Sequence, residues 1–180
     1  MKTTIITMAS ALLLACGQAF AAYSPELQAK AEQGDAAAQY ELGECYMYGG
    51  VKLDRQEAVK WCRKAAEQGY APAQYMLGHW YGLGEGVEMD EVESHKWYRK
   101  AAEQGYAPAQ YELGKCYWCG EGVEKDLIQA ARWLCKALEQ DDDNDSFLYI
   151  LDEIKEELRQ AAEKGDAEAQ AELRRLESRE

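Results

Sequence analysis

Residues 69–104, GYAPAQYMLGHWYGLGEGVEMDEVESHKWYRKAAEQ, and residues 105–140, GYAPAQYELGKCYWCGEGVEKDLIQAARWLCKALEQ, are one 36-residue unit written twice, matching at 21 positions without a gap. Residues 34–68 give the unit again, one residue shorter, with Gly49-Gly50 where the others have Gly-Glu-Gly. Residues 165–176, GDAEAQAELRRL, restart it without completing it. A unit this short cannot bury an apolar face by itself. It must stack on its neighbours, so the chain is an array.

Each unit reads as two helices. Ala38, Leu42 and Tyr46 recur four apart on one face of a first helix over residues 36–48. Asp54, Asp90 and Asp126 stand as N-caps of the second helix, and Glu57, Glu93 and Gln129 three residues on complete a capping box. Trp61, Trp97 and Trp133, with Ala65, Ala101 and Ala137 four later, form the expected buried stripe of that helix. Gly43, Gly78 and Gly114 fall in mid-helix, where glycine costs about 1 kcal/mol against alanine. Their recurrence implies a close approach, expected onto Ala58, Ser94 and Ala130. Gly69, Gly105 and Gly165 fit helix C-caps, and Val87 and Val123 plug the loop between helices. A sheet is excluded by composition, since from Ala22 onward there is no Thr, with only five Val and three Ile. The expectation is an all-α solenoid of antiparallel helix pairs.

The ends differ from the repeats. Residues 1–21 read as an export leader: Lys2, an apolar stretch over residues 5–15, and the small-x-small site Ala19-Phe20-Ala21. A second reading of the same segment is a lipoprotein signal, Leu13-Leu14-Ala15-Cys16-Gly17, in which Cys16 is acylated. Residues 22–33 form a short capping helix opened by Ser24-Pro25. Residues 141–180 form an acidic cap whose helix over residues 146–164 carries Phe147, Ile150, Leu151, Ile154 and Leu158 as its stripe. That end holds fourteen Asp/Glu and six Lys/Arg, and so -8 of the chain's net charge of -13. The acidic balance argues against a partner gripped through its phosphates, which needs a basic face. Membrane contact is expected only through a lipid anchor on Cys16.

The recurring A-x-Y-x-L-G-x-x-Y, the Gly-x-Gly-Val loop, the capping Asp and the W-x-x-x-A-A-E-Q-G ending resemble the Sel1-like repeat, a relative of the tetratricopeptide repeat with a longer loop. The resemblance implies a non-enzymatic scaffold in the bacterial envelope, holding a protein or peptide on a concave face lined by the first helices. Positions two before, two after and five after the repeated leucine point there: Tyr40, Tyr75 and Tyr111; Glu44, His79 and Lys115; Met47, Gly82 and Trp118. Cysteine-rich relatives in Helicobacter imply an alternative, a penicillin-binding or weak β-lactamase activity. A secreted factor acting on host cells is another.

No cofactor is expected and no catalytic set stands out: there is no G-x-S-x-G, no Ser-x-x-Lys in the mature chain and no H-E-x-x-H. His79 and His95, on the two helices of one unit, are a candidate metal pair, outweighed by the reading as ordinary surface or groove histidines. Asp141, Asp143, Asp145 and Asp152 fall on calcium-loop positions, but Ser146 stands where that loop needs Gly, which favours a solvated cap. Export makes disulfides admissible, and a Cys45–Cys62 bridge is the pairing expected. Cys116-x-x-Cys119 reads as helix packing, since a redox or zinc motif lacks its context here.

Overall fold

A computed structural model describes residues 23–140 and 145–178. The segment expected to be a leader, with Cys16, and Asp141 and Asp143 of the acidic run lie outside the described residues. Among the described residues there are nine helices and no strand: α1 (Pro25–Glu32), α2 (Ala36–Tyr48), α3 (Arg55–Glu67), α4 (Ala71–Leu83), α5 (Glu91–Glu103), α6 (Ala107–Cys119), α7 (Leu127–Leu138), α8 (Asp145–Glu163) and α9 (Ala167–Glu177). The three units are α2/α3, α4/α5 and α6/α7, and each helix packs chiefly on its neighbours in the chain. The result is an α-solenoid. None of these helices is long and apolar enough to cross a membrane.

The helix starts follow local chemistry. Asp35 and Asp166 cap α2 and α9 through the amides of Ala38 and of Glu168 and Ala169, at 2.8–3.0 Å. In α4 and α6, Tyr70 and Tyr106 give no side-chain cap. Pro72 and Pro108 stand in the first turn instead, where the missing N–H removes a donor that would need one.

The capping box forms by halves. Asp54, Asp90 and Asp126 accept from the amides of Glu57, Glu93 and Gln129 at 2.9–3.0 Å. The return bond is absent at the first two, because the Asp54 and Asp90 amides, like that of Asp126, already donate to a first-helix carbonyl. These are Tyr46, Tyr81 and Tyr117, all at 2.9 Å. Glu57 and Glu93 pair with Lys60 and Lys96.

The mid-helix glycines do mark close approach onto Ala58, Ser94 and Ala130 as expected, and the residue one turn further on crowds them as well, the Ala130 carbonyl standing 3.3 Å from a Cβ on Gly114. A Cβ on Gly114 would lie 2.9 Å from Leu134 Cγ, and one on Gly78 would lie 2.6 Å from the Tyr98 ring. At Gly43 the contact is with the Ala58 carbonyl and the Cys62 amide, at 3.1 and 3.3 Å. Ser94 reaches its glycine differently, its hydroxyl donating to Gly78 O at 2.7 Å. The loop glycines Gly86 and Gly122 are close contacts between units. Their Cβ positions stand 2.5 and 2.0 Å from the carbonyl oxygens of Arg55 and Glu91, at the start of the preceding second helix.

The tryptophan stripe is less buried than expected. Trp97 is buried, whereas Trp61 and Trp133 are half-buried. Lys64, Lys100 and Lys136, three residues on, lay their ammonium groups 3.7–3.9 Å from the three ring centroids. The fully buried tryptophan is Trp80 of α4.

In the C-terminal cap, Ile150, Leu151, Ile154 and Leu158 are buried as the stripe predicts. The long helix also reaches back over the third unit. Phe147 stacks on Tyr111 at 4.4 Å, and Glu157 accepts from Trp118 Nε1 and Lys125 Nζ at 2.7 Å each. From α9, the buried Glu172 accepts from Arg132 at 3.4 Å and also from Arg175.

Candidate functional site

The first helices carry a row of aromatic pairs. The Tyr40 ring lies 5.6 Å from that of Tyr70, Tyr75 lies 5.6 Å from Tyr106, and Tyr111 meets Phe147. Each first-helix tyrosine therefore meets the start of the next unit, and all three are half-buried. Burial, reinforced by the hydrogen bond to Glu44 at 2.7 Å, pushes the Tyr40 phenol well above its ordinary range. Burial also raises the Glu44 carboxyl, against the bond from Tyr40.

The varying rows separate. Glu44, His79 and Lys115 are half-buried. His79 stacks on Tyr75 at 6.5 Å, and Lys115 pairs with Glu112 at 2.9 Å over the Tyr111 ring. Burial works against the Lys115 ammonium, but Glu112 holds its pKa above the ordinary value. Met47 is only 4% exposed and sits in the core with Ala58, Val59, Ala73, Leu77 and Trp80, so it offers no surface to a partner. Trp118 is tied to the cap by Glu157.

Cys45 and Cys62 are both thiols rather than the halves of a disulfide. They occupy different parts of the core. Cys45 packs with Leu27, Ala31, Ala38 and Leu42, and Cys62 belongs to the next cluster, its thiol donating to Ala73 O at 3.3 Å. Alignment of the units explains both: Cys45, Trp80 and Cys116 share one buried slot, and Cys62, Tyr98 and Leu134 share another. A thiol there acts as a small hydrophobe. Burial raises the thiols of Cys116 and exposed Cys119 above their ordinary value, the reverse of what a reactive Cys-x-x-Cys needs.

His79 and His95 do not form a pair. His95 is buried edge-on against Tyr117 of the next unit at 5.4 Å, and its Nε2 has no hydrogen-bond partner. Burial, then the nearby Arg99 charge, depresses its pKa below the ordinary histidine value. A depressed folded-state pKa means that this stability is present above the unfolded value and is lost as pH falls through the folded one. His95→Phe is therefore expected to show a smaller loss of urea midpoint between pH 7 and pH 5 than the wild-type chain. Equal losses would show that His95 does not contribute. Asp152 lies exposed within α8 and pairs with Lys155 at 3.6 Å. Among the described residues no three His, Cys, Asp or Glu converge to hold a metal ion.

A glutamine network escaped the sequence reading. Gln39, Gln74 and Gln110, each 5% exposed, donate to the carbonyls of Ala31 in the capping helix α1 and of Ala66 and Ala102 in the preceding units, at 3.0, 3.0 and 3.3 Å. Their Oε1 atoms accept from Gln68, Gln104 and Gln140 at 2.7, 2.6 and 2.9 Å. The signal was present, since both glutamines recur in every full unit.

The sequence profile of the Sel1 repeat matches residues 36–70, 71–106 and 107–142. Among solved structures, a Sel1 repeat protein from Oxalobacter formigenes is similar at 41% identity and a TM-score of 0.65, over 71% of this chain and 96% of that one. The second is c5321, a protective antigen present in uropathogenic Escherichia coli strains displaying an SLR fold, at 38% identity and a TM-score of 0.68. That likeness covers 82% of this chain but 34% of c5321. Helicobacter pylori cysteine rich protein B shares the fold at 22% identity and a TM-score of 0.56, over 70% of this chain and 95% of that one. No curated protein matches the chain.

Proposed function

Because the chain belongs to the Sel1 repeat family, whose members are generally protein-interaction scaffolds, we propose that it holds a peptide or protein segment along its inner face, without catalysis, in the bacterial envelope. The observation that carries this reading is the inner row Glu44, His79 and Lys115. Its charge changes from unit to unit while the tyrosines behind it stay constant. A constant backing with a variable front suits selective recognition, and tyrosines beside charges suit a protein surface. The leader-like pattern of residues 1–21 and the likeness to a protective antigen support an envelope or secreted location.

A photo-crosslinking amino acid placed at Glu44 or His79 tests the reading in intact cells. Discrete adducts are expected there and not from Lys60 or Lys96, which are 68% and 56% exposed on the second helices. Adducts from the second helices alone would move the binding face elsewhere. Purified protein is expected to leave a chromogenic β-lactam intact. Turnover that disappears in Ser94→Ala would overturn the non-enzymatic reading.

A further inference from the structure

The inner position five residues after the repeated leucine is filled differently in each unit. Met47 packs into the core, Trp118 is held by Glu157, and Gly82 has no side chain. The hollow at Gly82 is a cleft of about 290 Å³ between the second and third units. Ser94 lies beneath it, where the other units have Ala58 and Ala130, and a Cβ on Gly82 would stand 3.2 Å from its Oγ.

The cleft is lined by Glu91, Glu112 and Glu121 against one lysine, Lys115. Lys115 is already paired with Glu112. Among the described residues no ion pair forms to Glu91 or Glu121. The third unit's loop draws these two together, because Gly122, next to Glu121, rests on the Glu91 carbonyl. The surplus charge is felt at the wall, where burial first, then Glu121 and Glu112, push the Cys116 thiol up to about 12. These acids do not converge on one point as metal ligands would. They line the walls of a hollow whose lip includes Leu83, 60% exposed.

We propose that this cleft takes a basic side chain, arginine or lysine, of the peptide bound along the inner face, its methylene stem over Leu83 and its cationic head towards Glu91 and Glu121. The inference rests on the scaffold reading above and names the chemistry of its partner. A long cationic side chain meets both demands of the site, an apolar lip and unmatched carboxylates.

The test is a titration of N-acetyl-arginine amide and N-acetyl-citrulline amide, alike in shape but not in charge, into the nitrogen-15-labelled full chain. Saturable amide shifts at Gly82, Leu83 and Ser94 are expected for the arginine probe, with citrulline about tenfold weaker. Gly82→Met, which refills the hollow, and the double change Glu91→Gln with Glu121→Gln are each expected to abolish the difference. Equal binding of the two probes, or a preference that survives the double change, overturns the proposal. Crosslinks at Glu44 or His79 without a charge preference would sink the cleft alone. A charge preference without crosslinks would sink the scaffold reading alone.

Discussion

Gly122→Ala is expected to cost more than about 4 kcal/mol and to uncouple the third unit from the second, an effect that few single substitutions reach. The φ of Gly122 is +68°, and its added Cβ would stand 2.0 Å from the Glu91 carbonyl oxygen and 2.4 Å from its carbon. Both obstacles are backbone, so no side chain can swing aside. Left-handed backbone alone costs a non-glycine residue about 1–2 kcal/mol. Gly105 separates the two contributions, because its φ is +87° and nothing lies within 4 Å of its Cβ position. Gly105→Ala should therefore show only the conformational cost. Urea unfolding of the two variants beside the parent checks this, and equal midpoints for both would show that the loop does not rest on α5.

Gln74→Ala is expected to cost about 2 kcal/mol, because it removes a buried hydrogen bond to the Ala66 carbonyl and leaves a small void, while the Gly69 amide still donates to that carbonyl at 3.0 Å. Gln104→Ala should cost under about 1 kcal/mol, since the exposed end of the pair is replaced by water. The double variant should be no less stable than Gln74→Ala alone, as the two side chains form one chain of bonds. Thermal or urea unfolding of the three variants measures this. Simple additivity would mean that the Gln104–Gln74 bond contributes nothing.

The helices, their starts and the stacking were legible because they depend on local chemistry repeated at a fixed period. Asp54, Asp90 and Asp126 announce a helix start wherever the chain runs, and the amides that donate to their carboxylates are the expected ones. What was not legible depended on which unit a side chain meets. Met47 looked like a groove residue by its spacing from Leu42, yet it turns into the core with Leu77 and Trp80 of the next unit. The Cys45–Cys62 pairing failed for a related reason. Each cysteine was read beside the other in sequence, when comparison with Trp80 and Tyr98 in the second unit would have shown two separate apolar slots. Trp118 presents a third case, since Glu157 lies beyond the repeats and no period within them predicts its arrival.

Each full unit carries its own pair of glutamines, and the bond to the unit before it asks only for a backbone carbonyl. The glycine seats of the second and third units likewise rest on backbone. A gene for such a chain can therefore gain or lose one whole unit by recombination within its repeats without orphaning the glutamine bonds. Length becomes a property that drifts cheaply, and the two end pieces accept the same joint, Ala31 from Gln39 and Ala162 from Gln170 at 3.0 Å each. Relatives of different reach are the natural product, each the same ruler cut at another mark.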